Sequence, residues 1–90
     1  MKKLIGERKL RCERFKLRYL LFEESDFKHS ENVFFSLLVE LSDGKKSEIA
    51  QARDFTSRRS EAEKMLSKIC RGKVTPMGLP YIMEDYIADI

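Results

Sequence analysis

The residues that could carry out catalysis are few in this chain and lie far apart. His29 is the single histidine, in a polar stretch with Lys28 and Ser30. Catalysis by an activated serine or cysteine requires a base held beside the nucleophile, so we interpret His29 as a solvated loop residue. Glu84 and Asp85 supply two neighbouring carboxylates, but adjacent residues of a helix point about 100° apart. We expect both to face solvent, which leaves no acid–base pair.

Metal and cofactor chemistry has equally little support in the sequence. Cys12 and Cys70 are far apart, with no CxxC motif. Together with one histidine they give at most three ligands, whereas a structural zinc site uses four. Both cysteines lie in apolar patterns, so we interpret them as small buried apolar residues. The four glycines form no phosphate-binding loop, and HExxH is absent. The sequence therefore predicts no enzyme, no metal and no cofactor.

The charges alternate in sign along the chain. Eighteen basic and fifteen acidic residues in 90 give a net +3. Residues 1–20 carry +6 and 46–75 carry +4, whereas 21–45 carry −4 and 76–90 carry −3. Blocks of opposite sign favour a dipolar or self-complementary surface over one broad nucleic-acid footprint. The first residues lack the apolar stretch of a secretory signal peptide, so we expect a cytoplasmic protein.

The amino-terminal half has the period of strands. Apolar residues alternate through 15–22, which predicts a half-buried strand. Leu10 and Cys12 alternate in the opposite phase, so a strand piece should precede a bulge or turn near Arg14. Residues 23–32 are polar and predict a loop.

A second pair of strands should follow. Residues 33–41 are apolar on both faces, which is typical of a central strand. Asp43 and Gly44 predict a tight hairpin turn. Residues 46–54 are more polar and favour an edge strand. Which of these strands the amino-terminal pieces pair with stays open.

The carboxyl-terminal half has the period of helices. The first helix has one apolar face, formed by Ala62, Met65, Leu66 and Ile69. Its start is open between a cap at Thr56 or Ser57 and a capping box of Ser60 with Glu63. Gly72 should take the left-handed conformation that ends it.

A second helix should follow the segment Thr75-Pro76, with a loose first turn because of Pro80 and regular geometry from about Leu79. Its apolar stripe comprises Leu79, Ile82, Met83, Tyr86, Ile87 and Ile90. Strands followed by helices predict one α+β domain over residues 1–90. We expect an antiparallel meander of three to four strands with two helices packed on one face.

Several segments of the carboxyl half form a recognisable series. They are Asp54-Phe55-Thr56, Cys70-Arg71-Gly72, Val74-Thr75-Pro76 with Leu79, and Glu84-Asp85-Tyr86-Ile87. The series resembles a family of short uncharacterised proteins of Gram-positive anaerobic bacteria, a domain of unknown function with V-T-P-x-x-L and E-D-Y-I segments. The resemblance covers residues 33–90 and implies an architecture and a cellular setting, but no activity. Arg58 and Arg59 depart from the acidic or polar first helical turn expected for it.

Binding remains the best-supported kind of function. A basic stripe for nucleic acid could be formed by Lys9, Arg11, Arg14, Lys16 and Arg18, with Phe15, Tyr19 and Phe34 as stacking surfaces. Arg58 and Arg59 could bind an anion at a helix amino end. Against these stand the core-like spacing of Phe15 and Tyr19 and the interpretation of the two arginines as solvated.

Protein interaction is the function that we favour from the sequence. A chain of this length without site chemistry, but with an edge strand, has few other ways to act. The candidate contacts are the strand edge and the end of the last helix at Tyr86, Ile87 and Ile90. The prediction is a small regulatory or interaction module that binds a protein partner or itself, with nucleic acid as the alternative and no membrane.

Overall fold

The computed structural model describes residues 2–25 and 32–88. It contains four strands followed by two helices: β1 (Lys2–Arg11), β2 (Lys16–Ser25), β3 (Val33–Ser42), β4 (Ser47–Thr56), α1 (Arg59–Arg71) and α2 (Leu79–Ala88). The predicted α+β class is confirmed, as is the start of the second helix at Leu79. His29 lies outside the described residues.

The four strands form one antiparallel sheet in the order β1-β2-β3-β4. The amino-terminal strand therefore pairs with β2 and not with the later hairpin. The loop predicted for 23–32 was drawn too early, because β2 continues to Ser25. β1 is also longer than predicted. Its ten residues are mostly charged and exposed, so the alternation that reveals a strand is visible only near Leu10.

Both edge strands are charged and interrupted. The register of β1 against β2 shifts between Leu4 and Gly6. That of β3 against β4 shifts between Phe35 and Leu37, near Asp54, whose φ is +50°. Bulges and charged residues at sheet edges discourage pairing with other chains.

The predicted hairpin turn between β3 and β4 is present. Gly44 has a φ of +91°, and the Asp43 carboxylate accepts hydrogen bonds from the backbone N–H groups of Lys46 at 2.7 Å and Lys45 at 2.9 Å. Those two bonds, that of Lys46 first, lower the pKa of Asp43.

The core lies between one face of the sheet and the two helices. Alternate residues of the central strands supply the sheet side: Leu17, Tyr19, Leu21, Phe35, Leu37 and Val39. The predicted face of α1 and the first residue of α2 supply the other: Ala62, Met65, Leu66, Ile69 and Leu79. α1 also approaches β1 closely, since a Cβ atom on Gly6 would lie 2.9 Å from Leu66 Cδ2. Cys12 and Cys70 pack on this core as half-buried free thiols, not fully buried ones.

The end of α1 differs from the prediction for Gly72. Gly72 has a φ of −82°, and the left-handed residue is Lys73, at +50°. The N–H of Lys73 donates to the carbonyl of Cys70, and that of Val74 donates to Ile69. This is the bond pattern of a Schellman motif, in which the residue after the C-cap is left-handed. Val74 then packs against the core, and the left-handed residue falls one position after Gly72, the C-cap residue.

Tyr19 connects the core to this cap. Its side chain is fully buried, and its hydroxyl donates a 2.8 Å hydrogen bond to the carbonyl of Val74. Burial, with smaller contributions from Cys70 and Cys12, raises the pKa of Tyr19 to about 12. Neither α1 nor α2, the helices of the described ranges, has the length and apolar run needed to cross a membrane.

Candidate functional site

The sheet has a second face, which we call the open face, that points away from both helices. Residues alternate between the two faces of a strand, so the neighbours of the core residues in sequence lie here. Because paired residues share a face, the register places Leu20 beside Leu38 and Leu4 beside Phe22. Within the described ranges neither helix packs on this side.

Six apolar side chains cross the open face. We call them the apolar band: Leu4, Leu20, Phe22, Phe34, Leu38 and Ile49. Leu20, at the centre, is 9% exposed, whereas Phe34 and Ile49 are 43% and 54% exposed. Lys2 Nζ lies 4.4 Å from the centroid of the Phe22 ring. The centre of the band is therefore little exposed, while Leu4, Phe34 and Ile49 at its periphery are exposed.

Basic side chains lie beside the apolar band on β1 and β2. We call them the basic cluster: Lys9, Arg11, Lys16 and Arg18, which the register brings together in two cross-strand pairs. Arg18 Nε donates to Glu7 Oε2 at 2.8 Å, and Glu40 lies opposite Arg18 on β3. Glu24 is a third carboxylate on the same face. The open face is thus charged in both signs, with the basic side chains in excess.

The predicted basic residues separate into two groups. Lys16 and Arg18 lie together on the open face, and Arg14 is exposed in the turn between β1 and β2. Arg58 and Arg59 lie at the other end of the sheet, because Lys16 pairs with Ser42 whereas Phe35 pairs with Thr56. The seven-residue length of β3 between those pairs is roughly 23 Å. A single small ligand could not contact both groups of basic side chains.

Arg58 and Arg59 stand at the start of α1, as expected. Arg58 is the N-cap residue and makes no side-chain capping bond. Arg59 Nε donates to Glu63 Oε1 at 3.1 Å, one helical turn on. Arg59 therefore has a partner on its own helix.

The aromatic residues proposed for stacking divide in the same way. Tyr19 is buried under the helices, and Phe15 is half-buried against the core. Phe34 lies exposed on the open face. Phe22 joins it there, as a diagonal neighbour that the sequence-based candidates did not include. The sequence did contain a signal for Phe22, because β2 and β3 also carry apolar residues at positions that alternate with the core residues.

The residues of the last helix that were predicted to form an interface lie in different environments. Tyr86 is half-buried and packs edge-to-face on Phe55, with ring centroids 6.0 Å apart. It therefore holds α2 against the end of β4. Ile87 is 64% exposed. Ile90 lies outside the described residues.

The described residues bring together no group of three or more side chains suited to holding a metal ion. The two thiols, both free, pack on the core near Tyr19 and not on the open face. What this surface can do chemically is bind: it offers apolar area, exposed cations and one exposed aromatic ring.

A family model matches residues 1–89, nearly the whole chain; it is described as a family of unknown function, DUF6514. The match includes the amino-terminal strands, which the sequence resemblance had covered poorly. Comparison with curated proteins and with solved structures finds no significant match.

Proposed function

We propose a function for this chain, which belongs to the DUF6514 family of unknown function, from the geometry of its surface: it is a protein-interaction module that binds a partner through the open face. The observation that carries the proposal is the apolar band, which crosses a sheet face that neither α1 nor α2 covers. The partner is met in the cytoplasm, and binding requires no catalysis.

Burial of apolar surface drives most protein association. A contiguous apolar patch with a charged rim is a common mark of an interaction site. Here the rim is the basic cluster on one side of the band, and the exposed ends at Phe34 and Ile49 are the natural first contacts. Aromatic residues are enriched at the energetic centres of such interfaces, which favours Phe34.

The open face supports this proposal better than the two surfaces favoured from the sequence. The edge strands β1 and β4 are charged and bulged, which opposes strand addition. The end of α2 is occupied in part by the packing of Tyr86 on Phe55. Among the described residues at that end, Ile87 is the one large apolar side chain that is exposed.

Nucleic-acid binding is the second candidate, favoured by one observation: Phe34 and the basic cluster share the open face. Many sheets bind single strands by stacking bases on exposed rings and contacting the backbone with cations. Here Phe34 pairs with Glu24 and Arg18 pairs with Glu40, so the ring and the nearest row of the basic cluster are roughly 20 Å apart. The carboxylates of Glu7, Glu24 and Glu40 on the same face oppose phosphate contact, however, and the Leu20–Leu38 pair offers no stacking surface. These features favour a protein partner.

The experiment compares exposed apolar positions on and off the open face. Affinity capture from the native cell would use the wild-type chain and the variants Phe34→Glu and Ile49→Glu. Met77→Glu and Ile87→Glu, at 76% and 64% exposure, are the matched controls. We expect a partner that is retained by the wild type and both controls but lost with the open-face variants, all of which keep the wild-type circular dichroism spectrum.

Two results would count against the proposal. If the partner is lost only with the Ile87→Glu variant, the interface lies on α2. Retention of single-stranded RNA in place of protein, lost on raising the salt concentration, favours the second candidate.

A further inference from the structure

The apolar band runs diagonally across the sheet. Leu4 pairs with Phe22, Leu20 with Leu38 in the next row, and Ile49 lies in the row after that, beside Glu40. Three strand spacings and two two-residue steps separate Leu4 from Ile49, which places them roughly 20 Å apart. Phe34 lies to one side of this diagonal, as the diagonal neighbour of Phe22. The other five residues form a narrow strip, one or two side chains wide, and not a broad apolar surface.

We infer that the open face receives an amphipathic helix of a partner protein, with acidic residues along one margin of its apolar stripe. This inference rests on the proposed function and names the class of partner. A strip roughly 20 Å long corresponds to about 13 helical residues at 1.5 Å each, or nearly four turns. The narrow stripe of an amphipathic helix matches a strip of this width.

Charge determines which side of the helix is acidic. One margin of the band carries the four bases of the basic cluster with Glu7 and Glu40, a net +2, and Arg18 already pairs with Glu7. The other margin carries Arg53 and the ion pair of Lys2 with Glu24, a net +1. Lys9, Arg11 and Lys16 form no ion pair within the described ranges. Acidic side chains on the helix margin that faces the basic cluster would therefore meet three cations that have no ion-pair partner among the described residues.

The second copy of this chain fits less well as the occupant. The open face carries six basic side chains (Lys2, Lys9, Arg11, Lys16, Arg18 and Arg53) and three acidic ones (Glu7, Glu24 and Glu40), a net +3. Two such faces in contact would repel each other. A second copy could instead bind through α2, which carries Glu84 and Asp85 and would be the acidic helix. The sedimentation test below distinguishes this case from a separate partner protein.

The test uses three synthetic helical peptides of about 16 residues, slightly longer than the strip. The first has a leucine stripe with glutamates along one margin, the second has lysines in place of the glutamates, and the third keeps the glutamates but has serines in place of the leucines. Fluorescence anisotropy against the full chain at low salt measures each affinity. We expect the glutamate peptide to bind at least about tenfold tighter than the lysine peptide, and the serine peptide not to bind.

Variants of the chain locate the site. Leu4→Glu and Ile49→Glu, at the two exposed ends of the strip, should abolish binding of the glutamate peptide, whereas Met77→Glu should leave it unchanged. Lys9→Glu with Lys16→Glu should reverse the preference between the glutamate and lysine peptides. Equal affinity for these two peptides, or no effect of Ile49→Glu, would overturn the inference.

The remaining outcomes separate the inference from the proposed function. No binding of the glutamate peptide, together with loss of the native partner in Phe34→Glu, would overturn the helix and retain the interface. Concentration-dependent sedimentation that Glu84→Lys with Asp85→Lys abolishes would identify α2 of a second copy and overturn the separate partner. Displacement of the bound glutamate peptide by a single-stranded RNA would overturn both.

Discussion

The two faces of the sheet differ in what covers them and in how much charge they carry. Leu37 and Leu38 are adjacent leucines on β3, but Leu37 is 1% exposed beneath the helices, whereas Leu38 lies half-buried on the open face. On β2 the contrast is smaller, because Leu20 on the open face is only 9% exposed, against 0% for Tyr19. The helices cover the face that stabilises the fold, and the other face, which is apolar along a band, is left for another role. The difference can be measured by matched substitutions on either side.

The largest effect should come from truncating neighbouring leucines on the two faces. Leu37→Ala removes a fully buried side chain and should lower the free energy of unfolding by about 2–5 kcal/mol. Leu38→Ala, half-buried, should cost about 1 kcal/mol. Urea denaturation of both variants measures the pair. Equal losses would mean that the open face is packed as tightly as the core, which contradicts an available surface.

The next largest loss of stability should come from the close approach of α1 to β1, a contact on the face of the sheet that the helices cover. Gly6→Ala would place a Cβ atom 2.9 Å from Leu66 Cδ2, which should destabilise the fold by about 1–3 kcal/mol. Gly78→Ala is the control, since its nearest contact is Val74 Cγ1 at 3.5 Å. Thermal unfolding of the two variants checks this. If Leu66→Ala does not relieve the cost of Gly6→Ala in the double variant, the contact is not its cause.

Tyr19 provides a polar probe of the covered face. Tyr19→Phe removes the hydrogen bond to Val74 and should cost about 1 kcal/mol, with Tyr81→Phe, at an exposed position, near zero. Folding raises the pKa of Tyr19 from 10.0 to about 12. The unfolded chain therefore ionises first as the pH rises. The contribution of Tyr19 is complete below pH 10 and is lost between pH 10 and pH 12.

Denaturation midpoints across that alkaline range test the sign of this effect. The wild type and Tyr81→Phe should lose stability with rising pH more steeply than Tyr19→Phe. Equal slopes for all three would mean that Tyr19 ionises as readily in the folded chain as in the unfolded one.

The smallest expected effect is a gain at the end of α1. Lys73 holds a φ of +50°, which a glycine adopts without steric cost, so Lys73→Gly should stabilise the chain by about 1 kcal/mol. Gly72→Ala should be nearly neutral, because Gly72 is not left-handed. Calorimetry of the two variants measures their stabilities. A large loss of stability in Gly72→Ala would mean that Gly72, and not Lys73, adopts the left-handed conformation.

Much of the fold was predictable because local signals agreed. The alternation of Leu17, Tyr19 and Leu21 indicated β2, the Asp43-Gly44 pair indicated the hairpin, and the spacing of α1 indicated its buried face. β1 was underestimated, because a strand at the edge needs few apolar residues and Lys2–Arg11 has few. Gly72 was misjudged, since the packing of Val74 on the core decides where the cap falls.

The candidate site was predicted only in part. Lys9, Arg11, Lys16 and Arg18 were identified as a basic stripe, but the pairing of β1 with β2 that brings them together could not be deduced from the sequence. Apolar residues such as Leu20 and Leu38 indicated a buried strand and nothing more. Which face the helices cover is set by tertiary packing, so the open face is visible only in three dimensions.

The strand order has a consequence for how the chain is synthesised. Each strand pairs with its neighbour in sequence, so the sheet can form hairpin by hairpin with little entropy lost in closing loops. The two helices leave the ribosome after the strands. Until α1 and α2 dock, a nascent sheet would expose apolar side chains on both faces, and the chain is most exposed to aggregation in that interval. The charged, bulged edges of β1 and β4 protect it then, before any partner is bound.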